Sequence, residues 1–148
     1  MLTQEKADAL MAMVKALTAG RRIDFPVPGS DLRLEAKSED GREVFAFDVN
    51  RKLGKRIRIS KCTMQERYAG VEILLRLDID GPPHDNPDGQ TIPCPHLHIY
   101  KEGEADKWAY PLPPEVTDPT NLERTLLEFL KYCKVKDDVE VMPSLPLC

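Results

Sequence analysis

The feature that most constrains the fold is an alternating run of side chains between positions 71 and 79. Apolar residues occupy every second position of this run. A period of two is that of a β-strand, whose successive side chains point to opposite faces of a sheet. The residues predicted for one face are Val71, Ile73, Leu75, Leu77 and Ile79, and those predicted for the other are Glu72, Leu74, Arg76 and Asp78. The sheet therefore has an apolar face that other elements must cover.

Shorter alternating runs upstream of this segment predict further strands. The apolar positions that mark the first two are Leu32, Leu34, Ala36, Phe45, Phe47 and Val49. The Asp40-Gly41 step between these two runs is typical of a hairpin turn. Ile57 and Ile59 begin a third strand. These runs add three strands to the one that the alternating segment predicts.

A fifth strand is predicted over 96–100. Its outward residues are His96, His98 and Tyr100, and its inward residues are Leu97 and Ile99. Elements that are neighbours in sequence usually lie side by side in space, so we expect this strand to pair antiparallel with the strand at 71–79. Arg76 and Asp78 would then share one sheet face with the two histidines.

Helices are predicted at both ends of the sheet region. Apolar residues recur at intervals of three and four from Thr3 to Ala19, with Gly20 as the stop. Near the C-terminus, Asp118 and Pro119 have the character of a helix cap and a first helical residue. The apolar stripe of this second helix contains Leu122, Leu126, Phe129, Leu130 and Cys133. This helix would cover the apolar face of the sheet.

Length and element order predict one α+β domain, an antiparallel sheet of about five strands packed by an N-terminal and a C-terminal helix. The predicted organisation is a single domain over 1–148, with a helix in 1–20, the sheet in 31–112, a helix in 118–134 and an irregular tail in 135–148. The net charge of -4 argues against a surface that is basic throughout.

The sequence favours a cytoplasmic protein. No apolar run approaches the roughly 20 residues that span a bilayer, and the N-terminus lacks the order of a signal peptide. The four cysteines form no closely spaced pair, so free thiols in a reducing compartment are expected rather than a disulfide framework.

All three histidines, His84, His96 and His98, lie in or next to the segment 80–95, which is rich in proline. Long loops in compact domains are commonly functional. Imidazole moves protons and binds metals near neutral pH, so this clustering nominates a site.

The polar residues around this loop suit phosphodiester cleavage. That reaction needs a base for the 2'-hydroxyl proton, an acid for the leaving oxygen and a cation for the charged transition state. His96 and His98 could supply the base and the acid, with His84 assisting, and Arg76 could supply the cation. Asp78 or Asp80 would then orient an imidazole. A metal-independent ribonuclease is therefore chemically possible.

The same residues leave two other interpretations open. A His-x-His pair on a strand directs both rings to one side, and His84, Cys94 or an aspartate could complete a zinc site. The spacing matches none of the paired ligand motifs of structural zinc sites, so no metal ligand is assigned and zinc stays a possibility. Alternatively, some of these histidines only hydrogen-bond the loop to the sheet.

A basic stretch precedes the histidine loop. Its positive residues are Arg51, Lys52, Lys55, Arg56, Arg58 and Lys61. In an acidic protein this concentration predicts contacts with an RNA backbone, although a solvated charged face is an equal alternative.

The sequence resembles an uncharacterised family of short bacterial proteins that are often carried by prophages and mobile elements. The matching blocks are LLRLDIDGPPH at 74–84, IPCPHLHIY at 92–100 and KWAYPL at 107–112. The resemblance implies a mobile-element setting and no particular activity.

More distantly, the chain resembles the TumE-type toxins of toxin-antitoxin systems. Their pattern is an arginine near an aspartate, then Pro-His, then His-x-His. The residues that match it in order are Asp80, Pro83, His84, His96 and His98, with Arg76 offset by two positions and Asp85 in place of a further histidine. This resemblance implies an RNA-directed endonuclease with a cognate antitoxin.

Two functional hypotheses follow. The first is a small toxin-like endoribonuclease that acts on RNA without a metal. The second is a non-catalytic mobile-element protein that binds and inhibits a host defence complex. Its histidine cluster would then be structural or would bind zinc.

Overall fold

A computed structural model describes residues 1–53 and 60–144 of the chain. The helices are α1 (Gln4–Ala12) and α2 (Leu122–Tyr132). The strands are β1 (Lys15–Leu17), β2 (Arg22–Asp24), β3 (Asp31–Ser38), β4 (Val44–Leu53), β5 (Ser60–Tyr68), β6 (Glu72–Asp78), β7 (His84–Asp85), β8 (Thr91–Ile92), β9 (His96–Ile99), β10 (Ala109–Pro111) and β11 (Glu140–Met142).

A large antiparallel sheet organises the fold. Its strand order is β1-β3-β4-β5-β6-β9-β10, so seven strands replace the five that the alternating runs predict. The expected antiparallel pairing of β6 with β9 is confirmed. Short pairs form separately: β2 with β11 in parallel, and β7 with β8 as a small hairpin inside the histidine loop. The added strands are short edge elements, whose few residues give little periodic signal.

One face of the sheet is apolar and the other is polar. The buried apolar residues of the central strands include Phe45, Phe47, Val49, Cys62, Met64, Leu75, Leu77 and Leu97. Buried residues of both helices and of β2 belong to the same cluster. The helices therefore share the cover of this face with other elements, which differs from the predicted packing by two helices alone.

The alternation in β6 breaks at one point. A bulge shifts the pairing of β5 with β6 between Glu66 and Arg67. Leu74 is fully buried, although the strict alternation places it on the polar face, and Val71 is 78% exposed. A β-bulge inserts one unpaired residue and reverses the alternation beyond it. Nearer the histidines the predicted alternation of β6 is preserved.

The N-terminal helix is shorter than the prediction of 1–20. It begins after the capping side chain of Thr3 and ends at Ala12, and Met13 adopts an extended backbone. The chain then forms β1 against β3. Tertiary pairing overrides the helical spacing of the apolar residues here, because Lys15 is drawn into the core to meet Glu66.

The C-terminal region also departs from the prediction. The residue that caps α2 is Asn121, whose side chain accepts from the Arg124 amide, so α2 starts later than Asp118. The tail predicted as irregular contains β11. Ile57 and Ile59, predicted to open the third strand, lie outside the described residues. Neither helix in the described part of the chain combines the length and apolar character needed to cross a membrane.

Candidate functional site

Cross-strand register brings the predicted site residues together. Asp78 on β6 lies opposite His96 on β9, and Arg76 lies opposite His98. Residues two apart on a strand share a face, so all four side chains lie on the polar face of the sheet. The sequence alternation is the direct cause of this clustering.

The carboxylate of Asp78 is the centre of the cluster. Its Oδ1 accepts from Arg76 Nε at 3.0 Å, and its Oδ2 lies 3.3 Å from His96 Nε2 and 3.2 Å from His98 Nε2. Burial raises the pKa of this carboxyl, but the adjacent His98 and Arg76 side chains outweigh burial and lower the pKa to about 2. Asp78 is therefore a carboxylate at neutral pH and can accept a hydrogen bond from Nε2 of His96 or His98 when that ring is protonated.

The second nitrogen of each ring fixes its tautomer. His98 Nδ1 lies 2.8 Å from the carbonyl oxygen of Asp106, and His96 Nδ1 lies 3.2 Å from the carbonyl oxygen of Pro93. A carbonyl only accepts, so Nδ1 carries the proton in both rings. The Nε2 atom of a neutral ring is then an acceptor, and it donates to Asp78 only when that ring is protonated.

His98 is enclosed and His96 borders open space. His98 Nε2 lies 3.0 Å from Arg76 Nη2, which can donate to it, and its side chain is 1% exposed. The side chain of His96 is 2% exposed but lines a cavity of about 470 Å³. The rings converge as expected, yet only one of this pair reaches the cavity.

The small β7–β8 hairpin presents His84 to the same cavity. Its Nε2 lies 2.7 Å from the carbonyl oxygen of Lys107, so Nε2 donates and Nδ1 is the acceptor in the neutral ring. Its ring centroid is 4.6 Å from that of His98 and 6.0 Å from that of His96. The buried amide of Asn86 anchors the hairpin by hydrogen bonds to both backbone groups of Ala109.

Asp106 belongs to the cluster and was not predicted. Its Oδ2 accepts from Arg76 Nη1 at 2.5 Å, while its backbone carbonyl accepts from His98. It lies on the connection between β9 and β10, where no local pattern marks an aspartate as part of a site. Arg76 is thus held between two carboxylates.

The other predicted residues are placed differently. Asp80 is exposed and lines the cavity without an ion pair in residues 1–53 and 60–144. Lys52 and Lys61 also line the cavity. Arg51 alternates to the opposite face, where its guanidinium stacks on Phe25. The predicted backbone-binding residues Lys55, Arg56 and Arg58 lie outside the described residues.

Asp78, His96 and His98 could also hold a metal ion. One ligand atom from each lies within 4.8 Å of the others. Nδ1 of His96 and Nδ1 of His98 each donate to a backbone carbonyl, and metal-binding histidines are commonly oriented by a hydrogen bond of this kind. However, Arg76 Nη2 lies 3.3 Å from Asp78 Oδ2 and 3.0 Å from His98 Nε2, so a guanidinium already supplies the positive charge there. Cys94, predicted as a possible fourth ligand, instead donates to the Asp78 carbonyl at 3.3 Å.

Comparison with known proteins identifies a family but no characterised relative. Residues 2–135 match the model of a family described as "Family of unknown function (DUF6978)", and the chain belongs to that family. No curated protein and no solved structure matches it. The membership agrees with the resemblance to an uncharacterised family.

Proposed function

We propose that this member of a family of unknown function is a metal-independent endoribonuclease. The observation that carries the proposal is the convergence of two imidazoles, a guanidinium and a carboxylate on one open cavity that two lysines also line. The imidazoles and the guanidinium are the acid, the base and the cation that cleavage of an RNA phosphodiester by its own 2'-hydroxyl requires, and the carboxylate holds the guanidinium in place. The mobile-element setting and a cognate antitoxin stay predictions from the resemblance.

His84 and His96 take the roles of base and acid, because they are the two histidines that line the cavity. Nδ1 of neutral His84 accepts the proton of the 2'-hydroxyl, and the 2'-oxygen attacks phosphorus. The bond from phosphorus to the 5'-oxygen breaks, and that oxygen takes a proton from Nε2 of protonated His96. The products are a 2',3'-cyclic phosphate and a 5'-hydroxyl. This assignment moves His98 from the acid-base pair to a positioning role.

Arg76 provides the positive charge for the transition state. A guanidinium has five N–H donors. Asp78 takes one from Nε and one from Nη2, His98 takes the other from Nη2, and Asp106 takes one from Nη1. Among the described residues none takes the second N–H of Nη1, which can donate to a phosphate oxygen. Two carboxylates and one imidazole hold the group rigid, as electrostatic stabilisation of a transition state requires.

The test is cleavage of a 5'-labelled RNA by the purified protein in excess EDTA. Loss of a general acid or base lowers rates by about 10²–10⁴-fold, so His84→Ala and His96→Ala should each fall in that range. Lys131→Ala, an exposed change on α2, is the control and should cleave like the wild type. His98→Asn should lower the rate less than His96→Ala does.

Three results would reject the proposal. They are the absence of cleavage by the wild-type protein, restoration of cleavage only by added divalent metal, and equal cleavage by the wild type and a His84→Ala, His96→Ala double variant.

A non-catalytic protein whose histidines are structural is the second candidate. The favouring observation is that both Nδ1 atoms bond to backbone carbonyls and that His96 and His98 are almost fully buried. Measurement of bound zinc, together with thermal melts before and after chelation, distinguishes a structural zinc site from a metal-independent catalytic site. Bound zinc, together with a melting temperature that falls sharply on chelation, would favour the structural zinc site.

A further inference from the structure

Two lysines face each other directly at one end of the cavity. Lys52 on β4 pairs in register with Lys61 on β5. Both side chains are exposed, and both line the cavity that His84 and His96 line. Like charges placed opposite each other across two strands destabilise a sheet. The arrangement therefore has a cost that folding alone does not require.

No ion pair within the described residues compensates these two charges, and Asp80, a carboxylate that lines the same cavity with them, is exposed and unpaired there. Every aspartate and glutamate of the chain lies within the described residues, since 54–59 and 145–148 contain none. Within the described part neither lysine forms an ion pair, whereas Arg33, Arg67 and Arg76 on the same face are each held by an aspartate. The two ammonium groups are thus available to an anion from solution.

A cross-strand row of uncharged polar side chains lies beside the lysine row and continues to Asp78 and His96. Asn50 lies opposite Thr63, which lies opposite Asp78. Both Asn50 and Thr63 line the cavity, and their side chains make no hydrogen bond to other described residues. Residues two apart on a strand are about 7 Å apart, so the lysine row is one such step from the Asn50 row.

We propose that Lys52 and Lys61 bind the phosphate next to the scissile one in single-stranded RNA, with Asn50 and Thr63 contacting the nucleotide between the two phosphates. The proposal rests on the proposed function of the same cavity. A concave site on a sheet face suits an extended strand with unpaired bases, because proteins contact duplex RNA mainly across its shallow minor groove.

A comparison of short substrates tests the subsite. A dinucleoside monophosphate has only the scissile phosphate, and the same dinucleotide with an additional terminal phosphate, tried at either end, fills the subsite. The wild type should cleave one of the extended substrates with kcat/KM about tenfold higher than the unextended one. The Lys52→Ala, Lys61→Ala double variant should lose this gain and keep the rate on the unextended substrate. Lys131→Ala should behave like the wild type.

The kinetic test has two contrary outcomes. An equal rate on extended and unextended substrates by the wild type would overturn the subsite. A double variant that loses activity equally on both substrates would show that the lysines act in general folding or in the chemistry, and would overturn it as well.

A binding assay separates failure of the subsite from failure of the proposed function. Anisotropy of a labelled single-stranded RNA is measured from low to high salt with the wild type and each lysine variant. Loss of this one phosphate contact in the Lys52→Ala, Lys61→Ala double variant should reduce the slope of log affinity against log salt by about 0.7, and Lys131→Ala should leave the slope unchanged. If no protein cleaves RNA but the slope of the double variant falls, the endoribonuclease proposal fails, while the two lysines are still shown to bind a phosphate of single-stranded RNA. An unchanged slope for the double variant, or tighter binding of a duplex than of the single strand, would overturn the subsite even if RNA is cleaved.

Discussion

Separation of the buried ion pair between Lys15 and Glu66 should destabilise the fold more than any surface change. Lys15 Nζ lies 2.8 Å from Glu66 Oε2, and both side chains are 0% exposed. The ammonium also donates to the carbonyls of Cys133 and Met11 at 2.8 and 3.3 Å. Lys15→Met would leave a carboxyl group without its partner in the core beneath the sheet. Breaking a buried pair in this way typically costs about 3–5 kcal/mol.

The structure also sets the pH dependence of that cost. Burial raises the pKa of Glu66 above its ordinary value of 4.5, and Lys15 opposes this rise. A raised pKa in the folded state contributes stability that is present below pH 4.5 and is lost as the pH rises through the folded pKa. Without Lys15 the carboxyl must be protonated in the folded state, which at pH 8 costs the variant at most about 5 kcal/mol and at pH 5 under about 1 kcal/mol. The wild type has part of this cost, because its own Glu66 pKa is raised to about 7, so the difference between the two proteins appears mainly above that pH. The destabilisation should therefore grow with pH.

The assay is urea unfolding at pH 5 and pH 8 of the wild type, Lys15→Met, Glu66→Leu and the double variant. The double variant should recover much of the loss, because both desolvated charges are gone. It should stay about 1–3 kcal/mol below the wild type, since the Cys133 carbonyl loses its donor. Asp24→Asn, which removes an exposed ion pair with Arg22, is the control and should cost under about 1 kcal/mol. A Lys15→Met cost that is below about 1 kcal/mol at pH 8 and independent of pH would refute the reasoning.

Three further predictions concern the site and its surroundings. The pKa of Asp78 is lowered to about 2, so the stability that this group contributes is present above its ordinary pKa of 3.8 and is lost as the pH falls through about 2. We expect unfolding titrations to lose about 1–2 kcal/mol between pH 4 and pH 2 in the wild type, and parallel curves for Asp78→Asn would contradict this. Asn86→Ala should cost about 2–3 kcal/mol and lower RNA cleavage, because both backbone groups of buried Ala109 lose their partner; unchanged stability would contradict the anchoring role. In native protein, iodoacetamide should modify Cys94 before Cys62, because burial raises the pKa of Cys62 to about 12, and mass spectrometry showing the reverse order would contradict the burial.

The part of the site that depends on strand alternation was predictable from sequence. A period of two places Arg76 with Asp78, and His96 with His98, whatever the rest of the fold does. Pairing of the two strands follows from their order in the chain. One polar face with four chemically useful groups is the direct result, and the register confirms it.

Other parts depend on contacts that no local pattern encodes. Asp106 reaches Arg76 from a connecting loop, and its role comes from the course of that loop rather than from its neighbours in sequence. The basic stretch has positive charges throughout, but successive side chains of a strand point to opposite faces, so Arg51 lies on one face of the sheet and Lys52 on the other. Two further features are tertiary effects as well. A bulge buries Leu74, and β1 begins at Lys15, whose ammonium pairs with Glu66 in the core.

The most direct test of the central claim is analysis of the reaction products in excess EDTA. The protein is incubated with an RNA oligonucleotide and with the same oligonucleotide in which every 2'-hydroxyl is replaced by hydrogen. We expect cleavage of the RNA alone, with a 2',3'-cyclic phosphate on one product and a 5'-hydroxyl on the other, detected by mass spectrometry. Cleavage of both oligonucleotides, products with a 5'-phosphate, or no cleavage without divalent metal would contradict it.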